Sequence, residues 1–199
     1  MTYLNFLLGP TNVGKTTLID QAVKELNAHG VFVGRVLRAK YGEDYFKGQA
    51  APEHTKKESL EIMDQGITEG LNCYKPLILV DGQPRSDDQL EYIIEKYLKR
   101  SYTDMTVSFL LLYCSDEVRR KRMESRDLTP EKKRLTEQRF YGDLPQVHKL
   151  IHDLIILGYG YTIHPIDSEN SFEELKKWYT EKELTSKFID ELIKEHSKK

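Results

Sequence analysis

Cysteine is scarce in this chain of 199 residues: Cys73 and Cys114 stand far apart, without the paired spacing of a metal site or a redox couple. Both are expected to be buried thiols. Long apolar runs are missing too. The most apolar stretch, Phe109 to Tyr113, is far too short to cross a bilayer and reads as a buried strand. No basic n-region, long apolar h-region or cleavage site precedes the first strand, so no secretion signal is read and a cytoplasmic location is expected. Nor does one sign of charge dominate: 31% of residues are charged, yet the formal net charge is only −2, which argues against a general nucleic-acid binder. Internal repeats and low-complexity linkers are absent, and the length suits one domain with a full core.

What is present is alternation. Apolar, partly β-branched runs recur at Tyr3–Leu8, Val31–Val36, Leu77–Val80, Thr106–Tyr113 and Tyr161–Ile166, and the intervals between them carry helical spacing. That order predicts an α/β fold, a parallel sheet covered on both faces. Helices are expected over about Lys15–His29, Lys56–Asn72, Ser86–Arg100, Asp116–Arg126, Pro130–Tyr141, Pro145–Leu157 and Ser171–Lys198. Ser115 before Asp116-Glu117, and Ser171 with Glu174 three residues on, read as helix N-caps. The segment Tyr41–Lys57, rich in glycine, charge and aromatics, has no clear period and reads as a loop, either beside a ligand or simply solvated.

Directly after the first run, Gly9-Pro10-Thr11-Asn12-Val13-Gly14-Lys15-Thr16 fits G-x-x-x-x-G-K-[ST]. The glycines let backbone N–H groups curl around phosphate oxygens, Lys15 reaches the β- and γ-phosphates, and the Thr16 hydroxyl can ligate Mg²⁺. Gly9, Asn12, Val13, Gly14, Lys15, Thr16 and Thr17 are therefore the expected ATP-binding set, with the phosphates at the N-terminus of the helix that follows. A second constellation, Asp81-Gly82-Gln83-Pro84-Arg85 with Gln89 beyond, ends the third apolar run. It belongs at the carboxyl edge of the sheet beside the P-loop, where Asp81 could hold Mg²⁺ directly or through water.

This second motif resembles the D-G-[FY]-P-R-x-x-x-Q signature of the adenylate kinase and nucleoside monophosphate kinase family, with Gln83 in place of the aromatic. Two further matches occur in the family's order. Gly34-Arg35-Val36-Leu37-Arg38 is similar to G-D-x-L-R, and Asp116-Glu117-Val118 with Arg122 and Arg126 is similar to the D-E-V-x-x-x-R-x-x-x-R that opens the family's lid. Asp127-Leu128-Thr129-Pro130-Glu131, with Arg134 and Arg139, is similar to the return side of a short lid, and either arginine could face the phosphates. Arg35 and Val33 depart from the adenylate kinase pattern, and Lys15-Thr16-Thr17 is closer to that of thymidylate kinases.

The resemblance implies a P-loop NTPase three-layer α/β/α sandwich with a central five-stranded parallel sheet. Its core would be 1–37, 74–118 and 142–199, with a small monophosphate-binding region over about 38–73 and a short lid over about 119–141. It also implies phosphoryl transfer from ATP, with Mg²⁺, to a nucleoside or deoxynucleoside monophosphate. Lys15, Arg85, Arg122 and Arg126 would be catalytic. Gly34, Arg38, Arg85 and Gln89 would hold the acceptor, with Gln89 on its base. Arg122 would stack on the ATP base and Arg126 would touch its phosphates. The expected partners are ATP and a monophosphate, with no nucleic acid and no membrane, in a monomer or homodimer. A P-loop kinase of another small metabolite and a non-catalytic nucleotide-binding module are the competing readings. The basic run Arg119–Arg122 could be a nucleic-acid patch but fits the lid helix better, and His148 with His152 reads as a helix surface pair.

Overall fold

The first strand has alternate side chains buried on opposite faces: Leu4, Phe6 and Leu8 point to one core, Tyr3 and Leu7 to another. Such two-sided burial is what a strand in the middle of a covered parallel sheet requires. In the computed structural model, which describes residues 1–42, 53–99, 104–126 and 128–182, this strand, β1 (Thr2–Leu8), is the centre of a five-stranded parallel sheet. Its order is β2-β3-β1-β4-β5, with β2 at His29–Phe32, β3 at Leu77–Asp81, β4 at Met105–Tyr113 and β5 at Ile163–Asp167. β1 runs beside β3 with Leu4 against Ile78, and beside β4 with Leu4 against Val107.

Helices cover both faces. On one, α1 (Lys15–Glu25) and the helix α7 over 171–182 bring Leu18, Ile19, Ala22, Phe172 and Leu175 onto Leu7, Leu79 and Leu110. On the other lie α2 (Val33–Tyr41), α3 (Glu53–Asn72) and α4 (Asp87–Ile93), which continues as a π-helical turn over Ile94–Leu98. With them α6 (Pro130–Ile156) sets Leu150 and Leu154 against Phe6 and Phe109. Between β4 and α6 stands α5 (Asp116–Glu124), whose Ser115 cap accepts a hydrogen bond from the Val118 N–H at 3.3 Å. The expected α/β sandwich with a five-stranded parallel sheet is therefore the observed architecture.

Several expected boundaries move. The second run is a strand only to Phe32. Val33 and Leu37 lie four apart and are both buried, so the segment turns helical at Val33 and ends at Gly42, whose φ is +83°. α1 stops at Glu25, because Asn27 takes φ +53° and the chain then enters β2. α3 begins at Glu53, ahead of Lys56. The expected break before Pro145 is absent: α6 runs through it, forfeiting one backbone hydrogen bond while Phe140, Val147, Leu150 and Leu154 anchor the helix on both sides. Glu174 does not complete a capping box with Ser171; its carboxylate accepts from the Asp167 N–H at 2.6 Å and stitches α7 to β5. Cys73 is exposed, in the turn after α3, and Cys114 is half-buried, so neither is the buried thiol expected. Residues 43–52, Asp127 and 183–199, on which the expected ligand-side loop, part of the lid and the last helix fall, lie outside the described residues. Among those described, no helix is long and apolar enough to span a membrane.

Candidate active site

The loop after β1 cannot be built with other residues at its ends. Gly9 has φ +140°, and a Cβ there would lie 2.6 Å from the Leu112 carbonyl oxygen, inside any tolerable contact. Gly14 has φ +103° and forms the N-cap of α1, so the first N–H groups of that helix open toward the loop, an arrangement suited to phosphate. Val13 is fully buried and pins the loop to the core, while Thr17 is exposed on the first turn. Asn12 takes φ +67° and is 6% exposed, with both ends of its amide unpartnered.

Lys15 folds back over this loop. Its Nζ donates to the carbonyl oxygens of Gly9 at 2.6 Å and Pro10 at 3.0 Å. Burial pulls its pKa down from 10.5 to about 8; Asp81 and Asp143 oppose the shift, and the Arg85 guanidinium adds to it. Beside it the Thr16 hydroxyl donates to Asp81 Oδ2 at 2.7 Å, so the two expected Mg²⁺ ligands are already in contact. They are hard oxygen donors and few: among the described residues no cluster of three acidic, histidine or cysteine side chains occurs. That donor set fits Mg²⁺, which keeps waters and takes phosphate oxygens in place of a full protein cage.

A second wall rises from the end of β3. Gly82 has φ +95°, and a Cβ on it would meet the Gly34 nitrogen at 3.6 Å, so the two glycines bring the 82–85 turn and the start of α2 together. Arg85 lines the cleft opposite Gly9, Thr11 and Lys15. Gln89 is buried behind it: its Oε1 accepts from the Arg85 N–H at 2.7 Å, and its Nε2 donates to Ser59 Oγ at 3.0 Å. Here Gln89 braces the turn that presents Arg85 and ties it to α3. Arg38 folds back over Gly34, one turn earlier in α2. Arg35 lies on the surface, paired with Asp20 at 2.8 Å and stacked 4.0 Å from the Phe32 ring centroid.

The third wall is α5 with α6. Arg122 Nη1 donates to the Val13 carbonyl at 2.8 Å and to Ser168 Oγ at 2.9 Å, so it grips the back of the P-loop. Arg126, at the end of α5, and Arg134, in α6, are exposed. Arg139, further along α6, is exposed as well; partial burial, then the Arg85 guanidinium, hold its pKa below the ordinary arginine value, with Asp143 opposing and Arg38 adding to the shift. His148 and His152 are exposed on α6, as a surface pair would be.

Sequence reasoning passed over Asp143 here and took Arg119 only as part of a basic run. Asp143 accepts from the Thr11 N–H at 3.0 Å and from the Thr11 hydroxyl, placing a carboxylate in the mouth of the P-loop. Arg119, 1% exposed, donates to the Thr11 carbonyl at 3.2 Å, the Phe140 carbonyl at 2.8 Å and Asp116 at 3.0 Å, and stacks on the Phe140 ring. It is a structural bolt rather than part of a nucleic-acid patch. An uninterrupted reading of α6 would have exposed Asp143, since Arg139, Asp143, Gln146, Val147 and Leu150 fall on one helix face.

Comparison with known proteins agrees with this geometry. The family profile AAA_18, described as an AAA domain, matches residues 6–142, more than half of the chain. The fold resembles the unliganded crystal structure of a sugar kinase from Janibacter sp. HTCC2649, with TM-score 0.61 and 14% identity over 89% of this chain and 94% of that one. At that identity the likeness is one of fold. No curated protein matches the sequence. A P-loop closed by Gly9 and Gly14, set at the carboxyl edge of a 2-3-1-4-5 parallel sheet, is thus carried by a chain that belongs to the AAA domain family and has a P-loop kinase-like fold.

Proposed function

We propose that this protein transfers the γ-phosphoryl group of ATP to the phosphate of a nucleoside or deoxynucleoside monophosphate, giving ADP and a nucleoside diphosphate. One observation carries the reading: Arg85, presented by the turn after β3, lines the same cleft as Lys15 and the P-loop residues Gly9 and Thr11. Cations on two sides of one cleft suit a polyanion that binds between them. Lys15 and the P-loop N–H groups match a triphosphate, and the additional guanidiniums match a second phosphate.

On this reading Lys15 leaves the Gly9 and Pro10 carbonyls for the β- and γ-phosphates, Arg38 and Arg85 hold the acceptor phosphate, and Arg139 reaches both. Thr16 and Asp81 would hold Mg²⁺, which would supply neutralisation of phosphate charge. An acceptor phosphate is ionised near neutral pH, so the chain need supply no base, and catalysis reduces to in-line positioning and charge stabilisation. Arg122 acts from behind by fixing the loop. The test is ADP release with MgATP against all common ribo- and deoxynucleoside monophosphates, with Lys15→Ala as control. Turnover with one or two acceptors, lost in the variant, is expected; a panel with no acceptor defeats the reading.

A second reading rests on Asp143. A carboxylate seated at Thr11 could take the proton of a hydroxyl acceptor, as the kinase of a small metabolite requires. The two readings diverge on Asp143→Asn. Under monophosphate transfer it leaves kcat within a few-fold and tightens MgATP, whereas under hydroxyl transfer it lowers kcat by about a hundredfold or more.

A further inference from the structure

The described residues contain six buried side-chain polar atoms without a hydrogen-bond partner, and four of them belong to the two loops that face each other across the cleft: both amide atoms of Asn12, Oε1 of Gln83 and Oγ of Ser86. Buried polar groups are rarely left unpaired, and each one weakens the fold that carries it. Gln83 is the most informative. It is 3% exposed, so water does not solvate it, yet it lines the cleft together with Gly9, Thr11, Lys15 and Arg85. The position would accept an aromatic or aliphatic side chain without leaving any polar atom unpaired.

Resting on the reading of the cleft as a phosphoryl-transfer site, we propose that Gln83 is a catalytic residue whose carboxamide N–H donates a hydrogen bond to an oxygen of the phosphoryl group during transfer. It lines the same cleft as Lys15 and Arg85, which on this reading serve the donor and acceptor phosphates, and that shared lining is why we assign it to the group in transit. Rotation about the last side-chain bond exchanges the two ends of the amide, so the buried end can present either oxygen or nitrogen. A phosphoryl group has only acceptors, and nitrogen is selected. The amide stays neutral and unchanged: the bond from phosphorus to the bridging oxygen of ADP breaks with its electron pair going to ADP, a bond from an acceptor oxygen forms, and Gln83 neither gains nor loses a proton. Its contribution is a dipole aimed in advance at the equatorial oxygens, where charge resides in the transition state.

The experiment compares wild type with Gln83→Met, which keeps length and volume and removes the polar atoms. The readouts are melting temperature, affinity for MgADP, and the tightening of MgADP produced by aluminium fluoride, which imitates the planar phosphoryl group. The expected result is a melting temperature equal to or above wild type, MgADP affinity within about threefold, and loss of at least about tenfold of the fluoride-dependent tightening, in line with removal of one preorganised donor. Unchanged tightening overturns the proposal, because a merely structural glutamine predicts that outcome. If the methionine variant does not fold, Gln83→Glu keeps the shape and replaces the donor by an anion; it should abolish the tightening, and wild-type tightening in it likewise overturns the proposal. The acceptor does not enter this measurement. A wild type that phosphorylates no monophosphate but shows Gln83-dependent tightening removes the acceptor assignment alone, and monophosphate turnover with Gln83-independent tightening removes this inference alone.

Discussion

Lys15 links protonation to ligand binding. Its folded pKa of about 8 lies below the 10.5 of the free side chain, so between those values the unfolded chain holds more protons than the folded one, and the empty protein gains stability as pH rises through that window. Below about 8 the buried ammonium is charged and that gain is absent. Bound phosphates favour the charged form, which raises the pKa again. MgATP binding should therefore take up protons above pH 8 and weaken as pH rises further. Calorimetry at pH 8.5 in buffers of different ionisation enthalpy should read this uptake, and Lys15→Arg should lose it. At Gly9 the constraint is steric: Gly9→Ala combines φ +140° with a 2.6 Å approach to Leu112, and should cost on the order of 2 kcal/mol or more in urea unfolding as well as abolishing nucleotide binding.

Between residue and fold, α6 is the element on which the site depends. Arg119 joins its Phe140 carbonyl to the Thr11 carbonyl of the P-loop, so Arg119→Leu removes a buried guanidinium's hydrogen bonds to both and should lower stability by about 2–4 kcal/mol, measured by denaturant unfolding. By contrast Pro145→Ala, which restores a backbone N–H inside the helix, should raise the melting temperature by a few degrees. The same element marks where sequence was and was not legible. The P-loop, Asp81 beside Thr16, and Arg85 opposite Lys15 could be read because their spacing is local and each follows a strand. β2 was read too long because Val33 and Val36 carry β-branched side chains, and burial of Val33 with Leu37 overrode that propensity. Pro145 suggested a helix end for a sound local reason, which core packing on both sides outweighed. Recognising the roles of Arg119, Asp143 and Gln89 required knowing which helix faces meet. No pattern along one chain states that.

At the scale of the molecule, the sheet order decides when the site can exist. β1 precedes the other four strands in the chain yet lies at the centre, and its two neighbours in the sheet begin at Leu77 and Met105. The P-loop that follows it is fixed by Leu112, by Arg122 through Val13, and by Arg119 and Asp143 through Thr11. Each of those partners is encoded more than 90 residues later. During synthesis the loop that names the protein's chemistry is therefore an unsupported segment for most of the chain's emergence, and nucleotide competence arrives late and all at once, when α6 docks. Ribosome-arrested chains should bind no ATP analogue while α5 and α6 are still in the exit tunnel, however early residues 9–16 have emerged.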